Sequence, residues 1–498
     1  MKQRYIIAID QSTSATKAML FSSRCQMLRR VNVPHRQIYP QAGWVEHDAE
    51  EIYLNMMVAI EQLLEQGDID QAEYSLAITN QRETAVVWNR FTGKPIAHAV
   101  VWQDMRGEPY CNELKAKGLG EAVRQRTGLL IDPYFSASGV KWLLDHVEGA
   151  RQAAEQGDLM MGTMDCWLVW KLTHGKVHAT DYTNASRTLL FNIHTMQWDE
   201  GMLHLFNIPR SMMPEVKPCD ACFGTTDLEL KNGTVRIEGV PIAGVLGDSH
   251  GALVGQMCFD KGLGKATYGT GSSVMIHIGE EPLTAPQGLV TSVAYAAQGK
   301  VCYAYEGNIH CTGATLKWMQ EQLQLIASPM EAEAAAMSIK DNRGVYFVPA
   351  FVGLGAPWWN SKARAAIIGM SLATGKAEIL RAALESIAYQ VCDLIEAMVK
   401  QAGLLLKELR VDGGPSRNRF LMQLQSNCLG VPVNCSDVEE ASALGAVVMN
   451  GLALGLWQSL DEVAALRKSR ACFLPNDEAE RASKWHQEWL QAIAMVNR

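Results

Sequence analysis

The chain has 498 residues, more than one ordinary domain holds, so two large domains are expected. Apolar residues make up 48% and charged residues 20%, the balance of a globular protein with a substantial core. A formal net charge of −8 argues against capture of nucleic acid or of an anionic membrane surface, and no apolar run reaches the ~18 residues of a membrane helix.

Ile6 to Ile9 is an unbroken apolar run, as in a strand buried on both faces, and it ends on Asp10. Ser12, Thr13, Ser14 and Thr16 then form a turn of small hydroxyl residues. Lys17 adds a cation, and Ala18 to Phe21 returns as a second strand. Such a turn lets backbone N–H groups approach an anion, and a carboxylate at the strand end suits a metal-bound water. An ordinary hairpin with a polar tip reads the same stretch, and no G-x-x-x-x-G-K-S/T string is present.

Ile52 to Leu64 has helical spacing, with Asp48 and Glu51 as cap and acidic first turn. Tyr74 to Asn80 is a strand that opens onto Gln81-Arg82-Glu83-Thr84. Ala85 to Trp88 is the next strand, and Ala99 to Trp102 ends in Gln103-Asp104. Three apolar strands thus end in polar residues, at Asp10, at Arg82 with Glu83, and at Gln103 with Asp104. Ligands of α/β sheets sit beyond such strand ends. Residues 110–240 read as mostly helical, with loops at 132–134 and 180–186. Pro241 to Gly247 is again a strand, ends on Asp248, and leads into a helix from Ser249 to Met257.

Gly264 to Ile278 repeats the opening plan of strand, small-residue turn (Gly269-Thr270-Gly271) and strand, about 255 residues later. This predicts two related domains, residues 1–250 and 251–498. Thr312 to Gln324 is predicted as a helix, Gly344 to Pro349 as a strand and Lys376 to Gln401 as a long helix. Leu409 to Asp412 runs into Gly413-Gly414, where only Gly leaves room for an approaching ligand. Ala441 to Leu454 is a small-residue helix suited to close packing and stopped by Gly455. The twelve cysteines have no repeating spacing, and Cys219 with Cys222 lacks the second pair of a zinc site. Reduced, buried thiols are expected. No signal-like stretch precedes the first strand, so a cytoplasmic location is expected. The glycosylation strings at Asn184 and Asn232 then have no consequence.

Two phosphate-sized turns and a Gly pair after a strand, in this order, resemble the nucleotide clamp of the actin, hexokinase and 70-kDa heat-shock ATPase superfamily. Longer strings resemble the FGGY family of carbohydrate kinases, and within it the glycerol kinase branch. They are Gly43-Trp44-Val45-Glu46-His47-Asp48, Ile78 to Thr84, Asp132 to Ser136, Asp181 to Arg187, Tyr268 to Gly271 and Leu384 to Gln390. The resemblance implies an α/β fold of two ribonuclease H-like domains with a cleft between them. It implies ATP and Mg2+, a small polyol as acceptor, and a homodimer or homotetramer. Asp248 resembles the catalytic base, worth ~10² to 10⁴-fold as general base. Asp10 resembles the residue that holds Mg2+ through water. Arg82 and Glu83 resemble the clamp on the acceptor hydroxyls, with Trp102 and Tyr134 as walls of the same pocket. Thr13, Ser14, Thr270, Gly313, Lys317, Gly414 and Asn418 match nucleotide positions, and Lys17 is placed near the phosphates.

The chain departs from that branch at three positions. Ser12 replaces a Gly, so its backbone must take a conformation that Ser tolerates. Ser249 replaces a Gln and Ser273 a Phe, both at acceptor-contacting positions, so the pocket is expected to be wider and to admit a tetritol, pentitol or ketose. The stretch Glu229 to Arg236 keeps few of the glycines of a fructose 1,6-bisphosphate loop, so no such inhibition is expected. A non-catalytic ATP switch of the same superfamily is the reading of another class; Arg82, Glu83, Trp102, Tyr134 and Asp248 together argue against it. The cleft between the halves is expected to narrow around both ligands.

Overall fold

The computed structural model describes residues 4–65, 73–227 and 238–497. The loop ending in Arg236, and the string at Asn232, lie outside the described residues. Two large sheets, one from each half of the chain, share one plan. The first contains β1 (Arg4–Gln11), β2 (Ala15–Ser22), β3 (Met27–Pro34), β4 (Glu73–Asn80), β5 (Cys222–Thr225) and β6 (Pro241–Gly247), in the order β5-β6-β4-β1-β2-β3. The second contains β7 (Leu263–Tyr268), β8 (Ser272–Gly279), β9 (Val290–Ala297), β10 (Lys300–Ile309), β11 (Glu408–Gly413), β12 (Val433–Ser436) and β13 (Ser469–Phe473). Its order is β9-β10-β8-β7-β11-β12-β13.

In the first sheet β1 pairs antiparallel with β2, β2 antiparallel with β3, and β1 parallel with β4, which is parallel to β6. In the second, β7 and β8 pair antiparallel, β8 and β10 antiparallel, and β7 is parallel to β11, which is parallel to β12. A meander that continues into parallel strands therefore occurs twice. Ribonuclease H-like domains of the actin and hexokinase kind have this arrangement.

The apolar runs form these strands because both faces are covered. Ile7 and Ile9 pack with helix α1 (Ala49–Glu65), which presents Ile52, Met56, Ile60 and Leu63. Ile6 and Ala8, on the opposite face, pack with helix α2 (Asp248–Gly255) and with a helix from the other half of the chain. This helix, α6 (Ala441–Ala453), follows α3 (Gly313–Glu321), α4 (Lys376–Ala402) and α5 (Arg419–Leu429). α2 and α6 touch backbone to backbone. A Cβ on Gly445 would lie 2.0 Å from the Gly251 carbonyl oxygen, and one on Gly255 2.0 Å from that of Ala441. The Asn450 side-chain amide donates to the Leu76 and Ala243 carbonyls of the first sheet, and the Ser75 hydroxyl donates to Asn450 Oδ1.

Three expectations need correction. The strand at Ala99 is only Ala99–Val100. Asp104 is held by Arg106 at 2.8 Å and accepts from the Val45 amide, so it belongs to a buried ion pair and does not face a ligand. Residues 180–186 are a strand end and a helical turn capped by Asp181, which accepts from the Thr183 and Asn184 amides. All twelve cysteines are unpaired; Cys219 is buried and Cys222 exposed. Among the described residues no helix is long and apolar enough to cross a membrane.

Candidate active site

The parallel strands β1, β4 and β6 end side by side at Gln11, Asn80 and Gly247. The residues that follow them are Ser12, Arg82 with Glu83, and Asp248. Asp248 opens helix α2, where Gly247 supplies the extended backbone that turns strand into helix. Its carboxylate is half-exposed and meets Arg82 Nε at 3.1 Å. The rest of the Arg82 guanidinium makes a two-pronged pair with Glu306, at 2.8 and 2.7 Å. Glu306 lies on β10, so this pair joins the strand ends of the two sheets. Glu83 receives Arg187 Nε at 2.6 Å, and Arg187 also reaches Glu306 at 2.9 Å.

Arg82, Glu83, Arg187 and Glu306 are all buried, and the four charges compensate one another. Burial disfavours charge on Glu306, but Arg187 and Arg82 hold its carboxyl well below the ordinary range. Burial raises the Glu83 carboxyl against the pull of Arg82 and Arg187. Removing one member would leave a buried charge unpaired, which costs about 3–5 kcal/mol. Arg82 is therefore fixed in place, with one edge turned to Asp248.

Each sheet places a hairpin turn at this end. In the first, none of Ser12, Thr13 and Ser14 takes a positive φ, so Ser12 is accommodated without strain. Its hydroxyl and amide both donate to the Ala15 carbonyl, at 2.9 Å each. Trp102 Nε1 donates to the Thr13 hydroxyl at 3.0 Å, and the Trp102 ring stands edge-on to Tyr134 with centroids 5.5 Å apart. In the second, the Gly269 amide closes the turn onto the Gly271 carbonyl at 2.8 Å. Among the described residues, the backbone N–H groups of Thr13, Ser14, Thr270 and Gly271 donate to no protein acceptor. Free N–H groups at two small-residue turns are an anion-binding device.

The other predicted residues divide. Gly413 has φ +88°, and a Cβ there would lie 2.0 Å from the Tyr268 carbonyl, whereas Gly414 has open space above it. Gly313 packs helix α3 against the second turn: a Cβ would lie 2.5 Å from the Gly269 carbonyl, to which the Gly313 amide donates. Its role is thus to support the turn from behind. Asn418 caps α5, its Oδ1 accepting from the Leu421 amide. Lys317 lies exposed on α3 beside Glu321. Lys17 is not free over the turn, because Glu440 and Asp10 hold its ammonium at 2.7 and 3.3 Å. Ser249 is half-exposed next to Asp248. Ser273 is half-buried, and its hydroxyl is 3.4 Å from the ammonium of the buried Lys265.

Burial raises the Asp10 carboxyl to about 6; Lys17 opposes the rise, and Glu440 and Asp248 add to it. A divalent cation fits here, because it would relieve both the desolvation and the like charge. Mg2+ takes one or two carboxylates with substrate phosphates and retained waters, not an all-protein cage. That agrees with the lack of any three-ligand cluster among the described residues.

The fold and this end of its two sheets define a phosphotransferase of the sugar kinase type. Residues 5–255 match the N-terminal domain, and residues 264–454 the C-terminal domain, of the FGGY family of carbohydrate kinases. The chain belongs to that family. It is 48% identical to glycerol kinase 1 of Thermotoga maritima over 490 residues, 98% of this chain and 99% of the relative. It is 46% identical to the glycerol kinase of Petrotoga mobilis over 492 residues, 99% of this chain and 98% of the relative. The crystal structure of Plasmodium falciparum glycerol kinase with ADP superposes with a TM-score of 0.94 at 36% identity, covering 99% of this chain and 98% of that one. A xylulose kinase from Lactobacillus acidophilus shares the fold, with a TM-score of 0.89 at 21% identity, covering 99% and 98% of the two chains.

Sequence reasoning missed Glu306 and Arg187 as parts of the site. A charge inside the apolar strand Tyr303 to Gly307 was the available signal for the first. Arg187 closes the string Asp181 to Arg187, but nothing local assigns its partner.

Proposed function

We propose that the protein transfers the terminal phosphoryl group of ATP to a terminal hydroxyl of glycerol, giving glycerol 3-phosphate. The observation that carries this reading is Arg82, locked by Glu306 and turned to the Asp248 carboxylate at 3.1 Å. Full-length similarity to glycerol kinases supports the acceptor. Residues 1–250 supply the acceptor pocket and the first turn, and residues 251–498 the second turn and the adenosine side.

Asp248 accepts the proton of the acceptor hydroxyl while its oxygen forms the bond to the γ-phosphorus. The bond from that phosphorus to the β,γ-bridging oxygen breaks, and ADP leaves. Arg82 and Glu83 orient the neighbouring hydroxyls, the guanidinium as donor and the carboxylate as acceptor. Trp102 and Tyr134 wall off the carbon chain. Thr13, Ser14 and Thr270 hold phosphate oxygens from two sides through their backbone N–H groups. Gly414 leaves space for the adenosine. Asp10 would hold Mg2+, which would supply charge neutralisation on the phosphates. Positioning and electrostatics thus do most of the work, as in phosphoryl transfer generally. The unpaired thiols accord with a reducing, cytosolic compartment.

ADP release measured with ATP, Mg2+ and glycerol tests this reading, with the product identified by phosphorus NMR. Glycerol is expected to stimulate ADP formation and to appear as its 3-phosphate. ADP formation indifferent to glycerol, with no phosphorylated acceptor, would overturn it and point to an ATP switch.

A further inference from the structure

The registers of the two hairpins put an ammonium beneath each turn, but carboxylates hold only one of the two. Counting back from the turn, the second strand pair of the first hairpin is Asp10 with Lys17, and that of the second is Thr267 with Ser273. In the first, Glu440 at 2.7 Å and Asp10 at 3.3 Å take up the Lys17 charge. In the second, the ammonium comes from Lys265, two strand pairs further from the turn. It donates to the Thr267 hydroxyl at 3.1 Å and to the Ser273 hydroxyl at 3.4 Å, and among the described residues no carboxylate is in ion-pair contact with it. Lys265 is 1% exposed. A buried ammonium held by hydroxyls alone costs free energy that an arriving anion offsets. Burial draws the Lys265 ammonium below its ordinary range; Asp412, Glu306 and Asp248 oppose this from beyond contact, and Arg82 adds to it.

Residues paired in register share a face, as do residues two apart on one strand. Lys265, Met275 and Glu306 form one row across β7, β8 and β10, and Thr267, Ser273 and Asn308 form the next, nearer the turn. Glu306 holds Arg82, whose Nε meets Asp248, so this face looks onto the reacting end. Depth orders the group: Lys265 is buried, whereas Thr267 and Ser273 are half-buried. The two hydroxyls differ in what is left to them. Thr267 gives its proton to Asp412, its register partner on β11, which Gln256 also holds at 2.7 Å. The Ser273 oxygen accepts from Lys265, and among the described residues nothing takes its proton. That hydroxyl is therefore a polarised donor. Ser273 lies two residues, about 7 Å, after Gly271, whose N–H is free. Hydrogen bonds of about 2.9 Å to two oxygens of one phosphoryl group bridge that distance. Ser273 is also where the sequence departs from the Phe of the glycerol kinase branch, and Phe has no proton to give.

We infer that Lys265 is a positioning residue for the transfer: its ammonium fixes and polarises the Ser273 hydroxyl, which donates to an oxygen of the γ-phosphoryl group. The inference rests on the reading of Asp248 and the two turns as the place of transfer. The test is titration calorimetry with ADP and with the non-hydrolysable β,γ-imido analogue of ATP, each with Mg2+ and glycerol, on the intact protein and on the variants Lys265→Met, Ser273→Ala and the two combined. The quantity read is the ratio of the two dissociation constants, ADP over analogue. It is expected to fall about fivefold or more in each single variant, and no more than about twofold further in the double variant, because both remove one path. Misfolded protein lowers the titrated stoichiometry and leaves the ratio unchanged. Equal losses for ADP and analogue, a ratio that either single variant moves by less than about fivefold, or two effects that multiply in the double variant, overturn the role of Lys265 and leave the glycerol reading intact. An intact protein that phosphorylates no glycerol overturns both.

Discussion

The two hairpin turns occupy equivalent places in two sheets of the same topology, yet they are held by different means. The turn at Ser12 to Ser14 is fixed by side chains: Trp102 on the Thr13 hydroxyl, Gln37 on the Thr13 carbonyl, and the Ser12 hydroxyl on Ala15. The turn at Gly269 to Gly271 is fixed mainly by backbone, with one side chain added: the Thr312 hydroxyl donates to the Gly269 carbonyl at 3.1 Å. The amides of Thr312, Gly313 and Ala314 at the start of α3 donate to its carbonyls, each at 3.0 Å. The first turn therefore shares an aromatic, Trp102, with the proposed acceptor wall at Tyr134, whereas the Thr312 tie of the second leads back only to the start of α3. The same ligand chemistry can be built on one fold either through a specific side chain, which couples it to a neighbouring site, or through glycine and a helix end, which do not.

In the proposed reaction Asp248 takes the acceptor proton between both turns, so its loss should outweigh any difference between them. Asp248→Asn is expected to lower kcat by ~10² to 10⁴-fold with little change in ATP affinity, as read by steady-state kinetics and nucleotide titration. The second turn is the place to separate the two sides. Gly313→Ala puts a Cβ 2.5 Å from the Gly269 carbonyl and must move the turn. A backbone cost of about 1–3 kcal/mol should raise KM for ATP about tenfold, with KM for glycerol nearly unchanged. An equal rise in both would break the comparison.

Next is pH. Asp10 is raised to about 6, so the free enzyme loses its carboxylate charge as pH falls through that value. kcat/KM for Mg-ATP should then fall about tenfold per unit below pH 6, and added Mg2+ should move the midpoint down, because the cation binds the ionised form. A midpoint indifferent to Mg2+ would remove Asp10 from the metal site. The smallest effect is the sharpest on coupling. Trp102→Phe keeps the ring and removes the bond to Thr13, worth about 0.5–1.5 kcal/mol. KM for ATP and for glycerol should both rise, by about two- to tenfold; a change confined to glycerol would mean that the first turn stands alone.

Local pattern revealed the hairpins, because small-residue turns between apolar runs are read without knowledge of the fold. It revealed Asp248 and Arg82 for the same reason, as polar residues after buried strands. It did not reveal the partners. Arg82 and Glu306 are 224 residues apart in the chain, and Glu83 and Arg187 are 104 apart, so only the closed fold pairs them. Asp104 looked like Asp248 in sequence, but Arg106 two residues on consumes it. Lys17 looked like a phosphate ligand until Glu440, from the other half of the chain, met it. Local chemistry marks where charge is wanted; tertiary contact decides which charges are left free.

The seam between α2 and α6 has a consequence for biosynthesis. One face of the first sheet is covered by a helix that ends at Ala453. At ~5–20 residues per second, about 20 to 75 s separate emergence of β4 from that of α6. During that interval only α2 covers Ile6, Ala8 and their neighbours, and the rest of that face stays open until α6 emerges.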